Sequence, residues 1–244
     1  MGTSAGYGLP TSGNWPDFKR DLNSLASSAS SGPPEPDRIG RTMGKYVEAH
    51  GSPRQAAQQM SPASRAGAKL GGFLTGAQRV GLSQALDAEG LGELIGQTPT
   101  QVFRGLADHF IGNGSVLEDD IVREALFELR LELFGDCDTY PDLETSLSEL
   151  LQRDGVDSVI RRFFGICIYK RFETHSTERL LKQVSGGVRA VKRLLREIRN
   201  YISAKLDVRT HGREFTDIDW RGAEGENIAQ DILASVWRVY GEDL

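Results

Sequence analysis

Cysteine is nearly absent from this sequence: Cys137 and Cys167 are the two in 244 residues. Two thiols in unrelated contexts exclude a disulfide framework and fit a reducing compartment. Cys167 sits in the apolar run FFGICI at 163–168 and reads as a small buried hydrophobe, while Cys137 lies in an acidic turn, GDCDTYPD. Histidine is also scarce. His50, His109, His175 and His211 stand at no metal-ligand spacing from one another or from the cysteines, so neither a metal nor a cofactor is expected. No apolar run approaches the ~20 residues that cross a bilayer. The start has no basic n-region and no apolar h-region, so no secretory signal is expected. Met-Gly invites a myristoylation reading, but that motif wants Ser or Thr at position 6, where Gly6 stands. A cytoplasmic location without a membrane partner follows as the expectation. The net charge of −5 argues against a general nucleic-acid coat.

Catalytic signatures are missing too. GRTMGKY at 40–46 has three residues between its glycines where a phosphate loop needs four, and ends in Tyr46 where that loop has Ser or Thr. GLGELIG at 90–96 misses the dinucleotide spacing. There is no G-x-S-x-G elbow and no Cys/His arrangement with a fitting neighbourhood. His175 and Glu178 are three apart in THSTE, but Ser176 or Thr177 as a helix cap explains that stretch more simply. The expectation is a protein that is not an enzyme, with no catalytic residues.

What is present is mostly helical period. Residues 1–36 form a Gly/Ser/Pro-rich tail and linker, with SSASSGPPEPD at 27–37 too polar to offset ordering entropy. One short helix fits inside it, at 16–27, with Phe18, Leu22 and Leu25 on one face. Residues 37–244 read as a helical domain, with room for two subdomains, 37–112 and 113–244. Helices are expected near 38–49, 62–80, 82–95, 99–111, 117–134, 141–151, 156–172, 177–206 and 224–241. In the 177–206 helix, Val184, Val188, Val191, Leu195, Ile198 and Ile202 form a seam of heptad type, interrupted at Gly186-Gly187. Residues 207–222 lose the helical period and read as a loop or small hairpin. The fold class is all-α, an irregular multi-helix bundle behind a flexible N-terminal tail.

Charge is unevenly spread. Residues 118–157 are acidic (among them Glu118, Asp119, Asp120 and Glu124), and residues 161–199 are basic. Within the basic stretch, Arg189, Lys192, Arg193, Arg196 and Arg199 could form a stripe for a phosphate backbone. The plainer explanation is a pair of solvated or mutually neutralising faces.

The opening MGTSAGYGLP has no charged side chain and three glycines in eight residues. Glycine after Met favours methionine removal, which would make Gly2 the N-terminus. Its α-amine, with a pKa of about 7.7–8.0, is partly uncharged at neutral pH and therefore nucleophilic. Gly6 and Gly8 permit unusual backbone angles, so such a segment can thread a narrow pocket. M-G-T-S-x-x-Y-G-x-P, a Ser/Pro-rich linker, then YVEAHGSPRQAAQQM and GFLTGAQRVG, together resemble the QatB family of the bacterial Qat anti-phage systems. Relatives often carry a second Ser before Tyr7, where this chain has Ala5-Gly6. The resemblance implies a non-enzymatic subunit that travels with an ATPase (QatA), a QueC-like enzyme (QatC) and a TatD-like nuclease (QatD). It further implies Gly2 as an acceptor for the QueC-like enzyme, with Thr3, Ser4 and Tyr7 as recognition residues and Gly6 and Gly8 giving clearance. A nucleic-acid-binding subunit and a pure scaffold of the same complex are the alternatives.

Overall fold

The computed structural model of the chain describes residues 13–29, 32–111, 117–208, 220 and 222–241. Among them are ten α-helices and no strand: α1 Trp15–Ala29, α2 Pro36–Ala49, α3 Pro53–Gln58, α4 Ser61–Val80, α5 Leu82–Ala88, α6 Pro99–Ile111, α7 Leu117–Phe134, α8 Tyr140–Gln183, α9 Gly187–Val208 and α10 Ala223–Gly241. The fold is all-α. GRTMGKY falls inside α2, and GLGELIG holds only a single 3-10 turn, Gly92–Leu94.

The sequence punctuates these helices chemically. Thr98 and Gln101 cap α6 reciprocally: the Gln101 N–H donates to Thr98 Oγ1 at 3.4 Å, and the Thr98 N–H to Gln101 Oε1 at 3.1 Å. Thr139 and Asp142 do the same for α8. Pro36 and Pro62 stand in first turns, where a missing N–H costs nothing.

Two expectations need correction. The stretches 141–151 and 156–172 are not bounded at residue 172, and Ser176 and Thr177 cap nothing. α8 runs on through THST to Gln183, and its one internal break is Gly155, with φ 73° and ψ 169°. The hydroxyls of Thr174 and Thr177 donate back to the carbonyls of Lys170 and Glu173, one turn earlier. Such back-bonding lets a helix absorb residues that otherwise read as caps. The helix expected over 177–206 is in fact two, because Gly186 and Gly187 take positive φ (113° and 64°), which ends one helix and starts the next. Val188, placed in the seam, is 58% exposed as a result. The 207–222 loop or hairpin lies largely outside the described residues.

The chain divides into two compact units, each assembled from separated stretches: 1–56, 168–207 and 234–244 in one, 57–167 and 208–233 in the other. The first unit contains α1, α2, the end of α8, α9 and the end of α10. Its core is aromatic, with Tyr46 at the centre: ring centroids lie 5.0 Å from Phe18, 5.2 Å from Phe172 and 5.6 Å from Trp237. α9 supplies Val191, Leu194, Leu195, Ile198 and Ile202 from one face. The second unit contains α4 to α7, the start of α8 and the start of α10. α4 packs against α5, α6 and α7. Its small residues earn close approach: a Cβ on Gly67 would overlap the Phe164 ring, and one on Gly71 would fall 2.7 Å from the Trp220 ring.

Candidate functional site

Gly2, Thr3, Ser4, Gly6, Tyr7 and Gly8 lie outside the described residues. What the structure does place is the root of that segment, in the first unit. Asn14 Nδ2 donates to the carbonyl of Glu48 at 3.3 Å. Trp15 follows, 6% exposed, with its ring 5.0 Å from His50, 5.8 Å from His175 and 6.0 Å from Tyr46. Edge-to-face contacts of this kind add to the area that a tryptophan buries. α1 is then held along its length. Arg179 Nε donates to Asn23 Oδ1 at 2.8 Å, and Arg193 donates to the carbonyl of Ala29 at 3.1 Å.

The root sits on a buried polar chain. Arg171 hydrogen-bonds Tyr46, and the Tyr46 hydroxyl meets His175 Nδ1 at 2.8 Å. His50 stacks beside His175 at 6.0 Å between centroids, with ring planes 26° apart. Burial, then the nearby Arg171 charge, then His50, pull the His175 pKa from 6.5 down to about 3. Burial pushes the Tyr46 phenol well above its ordinary value. Both groups are therefore neutral at physiological pH. This cluster offers no ionised nucleophile; it is an anchor built of packed rings and the Tyr46–His175 hydrogen bond. Half of the signal is legible in the spacing, since Tyr46/His50 and Arg171/His175 are each four apart on one helix face. Which faces meet is not written in either spacing.

The basic residues lie on α9. Arg189, Lys192, Arg193 and Arg196 are exposed and Arg199 is half-buried. In the second unit, a cleft of about 380 Å³ is lined by Arg65, Lys69, Glu89, Phe110, Trp220 and Glu226 among others. Lys69 Nζ is occupied there, donating to the carbonyls of His109 and Phe110 at 3.1 Å each. His109 Nε2 lies 3.3 Å from Glu89 Oε2. Among the described residues, no group of three or more His, Cys, Asp or Glu side chains is placed to hold a metal ion. No described helix is long and apolar enough to cross a membrane.

A sequence profile of one family, described as Qat anti-phage system associated protein QatB, matches residues 51–240. The chain belongs to the QatB family. Membership makes it a component associated with an anti-phage defence system. The QatB match covers α3 to α10, the helical body, and stops short of the segment that carries Gly2. Neither a curated protein nor a solved structure matches the chain.

Proposed function

We propose that the chain is the partner of a QueC-like enzyme of the same defence system and that its Gly2 amine is the acceptor in a conjugation reaction. The observation that carries this reading is the anchored root. A glycine-rich, uncharged segment leads into Asn14 and Trp15, which the helical body fixes. A body of the QatB family that fixes the base of such a segment fits a carrier presenting an N-terminus to an enzyme.

The chemistry is amide formation. The enzyme would activate a 7-deazaguanine carboxylate with ATP as an acyl adenylate, releasing diphosphate. The neutral Gly2 amine would attack the acyl carbon, a C–N bond would form, and the C–O bond to the phosphate would break. AMP would depart with the electron pair, and the amine would give up a proton to solvent. The ordinary pKa of an α-amine makes it a far better nucleophile at neutral pH than lysine, at about 10.4. Thr3, Ser4 and Tyr7 would supply contacts in the enzyme's pocket, and Gly6 and Gly8 the clearance. The ATPase and the nuclease of the system are further partners in this reading, the site of action is the cytoplasm, and the chain itself performs no catalysis.

The test is the mass of the intact protein and of its N-terminal peptide, expressed with and without the QueC-like enzyme. An enzyme-dependent, base-sized addition on Gly2 is expected, and Gly2→Pro should remove it while the melting temperature stays unchanged. An unmodified Gly2 in a stable complex would replace the conjugation reading with a scaffold.

A further inference from the structure

α9 exposes one face that the reading above does not use. Taking 100° per residue, Arg189, Lys192, Arg193, Arg196 and Arg199 fall within a sector of about 120° and span about 15 Å of helix axis. The opposite face is the one buried in the first unit, through Val191, Leu194, Leu195, Ile198 and Ile202, so the stripe's outward direction is fixed by packing. Asn200 and Ser203 continue the sector as exposed polar residues. Among the described residues, no carboxylate pairs with Arg189, Lys192, Arg193 or Arg196. Lys45, Arg153, Arg161 and Lys182, on other helices, each have an acidic partner within one turn. In a chain of net charge −5, a helix face with five cations is a local reversal of sign.

We propose that this face of α9 is a nucleic-acid backbone site that binds duplex phosphates without reading sequence. The partner must be a polyanion, because the face offers charge and hydrogen-bond donors. Arginine supplies four of the five cations, and its guanidinium fork matches phosphate oxygens. Between Arg189 and Ser203 the sector carries no aliphatic or aromatic side chain; Val188 stands at its rim. A folded protein partner would lack the desolvated apolar centre on which protein interfaces depend. Single strands would lack a ring on which to stack their bases. A duplex backbone needs neither.

The experiment is fluorescence anisotropy of the full chain with a labelled mixed-sequence DNA duplex of about 20 bp. For three neutralised phosphates the affinity should fall about 40-fold between 50 and 200 mM salt. Reversal of three exposed positions (R189E, K192E and R196E together) should abolish binding. The milder R189Q, K192Q and R196Q set should weaken it at least tenfold while leaving the thermal melt unchanged, which separates lost binding from lost fold. A control with the same charge change elsewhere (R54E, R79E and R104E) should retain most of the affinity. Failure of the wild-type chain to bind at 50 mM salt, or unchanged binding by the stripe variants, would overturn the proposal. So would poly-glutamate bound as tightly as the duplex, since the face would then belong to an acidic protein. None of these readouts involves Gly2, so the result is independent of conjugation.

Discussion

Tyr46 and His175, 129 residues apart, meet through a 2.8 Å hydrogen bond between the phenol oxygen and Nδ1. Arg171 also bonds the phenol. The bond joins α2 to the end of α8 at the place where Trp15 seats.

Burial of His175 beside the Arg171 charge makes the first unit sensitive to acid. His175 has a folded-state pKa of about 3, against 6.5 when free. The unfolded chain therefore takes up a proton as pH falls through 6.5, and the folded chain does not. The stability is fully present above 6.5 and is lost progressively as the pH falls to about 3. Between pH 7 and pH 5 this group alone should cost about 1–2 kcal/mol. Urea midpoints at the two pH values should show it, and His175→Gln should flatten the difference. An equally steep loss in the variant would assign the acid sensitivity to other groups.

Trp15→Ala should be among the more damaging single changes in the first unit. Trp15 has four ring neighbours and 6% exposure, so truncation should cost about 3–5 kcal/mol. Limited proteolysis should then cut within α1 before any other helix. Continued protection of α1 would mean that Asn23 and Ala29, held by Arg179 and Arg193, suffice to keep it in place.

Gly71→Ala tests the close approach in the second unit. The new Cβ would lie 2.7 Å from the Trp220 ring, which is 4% exposed. Either the ring or the helix must shift, at a cost of about 1–3 kcal/mol. A lower melting temperature with altered tryptophan fluorescence is the expected result; an unchanged melt would show that the ring relocates freely.

Helix positions were legible because proline and glycine mark them: Pro36, Pro62 and Pro99 open helices, and Gly81 closes one. THST misled because Ser and Thr serve equally as caps and as back-bonding helical residues, and only the surrounding packing decides. The helix expected at 16–27 was readable, but Trp15 at its head was not readable as an anchor, because its neighbours His50 and His175 come from distant helices. The stripe on α9 was readable as charge, whereas its exposure depends on which face of α9 the core takes. Family membership was suggested by the opening residues and by 46–81, and the profile match covers 51–240, which takes in most of the second of these.

The interleaving of the two units has a consequence for the order of events at the ribosome. Trp237 packs against Tyr46 and His50, and Tyr240 donates to the carbonyl of Ile202. The first unit cannot close until residues 234–241 have been translated and released. A chain cut short before residue 234 would carry α1 and α2 without the ring that packs on Tyr46 and His50, and its first unit would stay open.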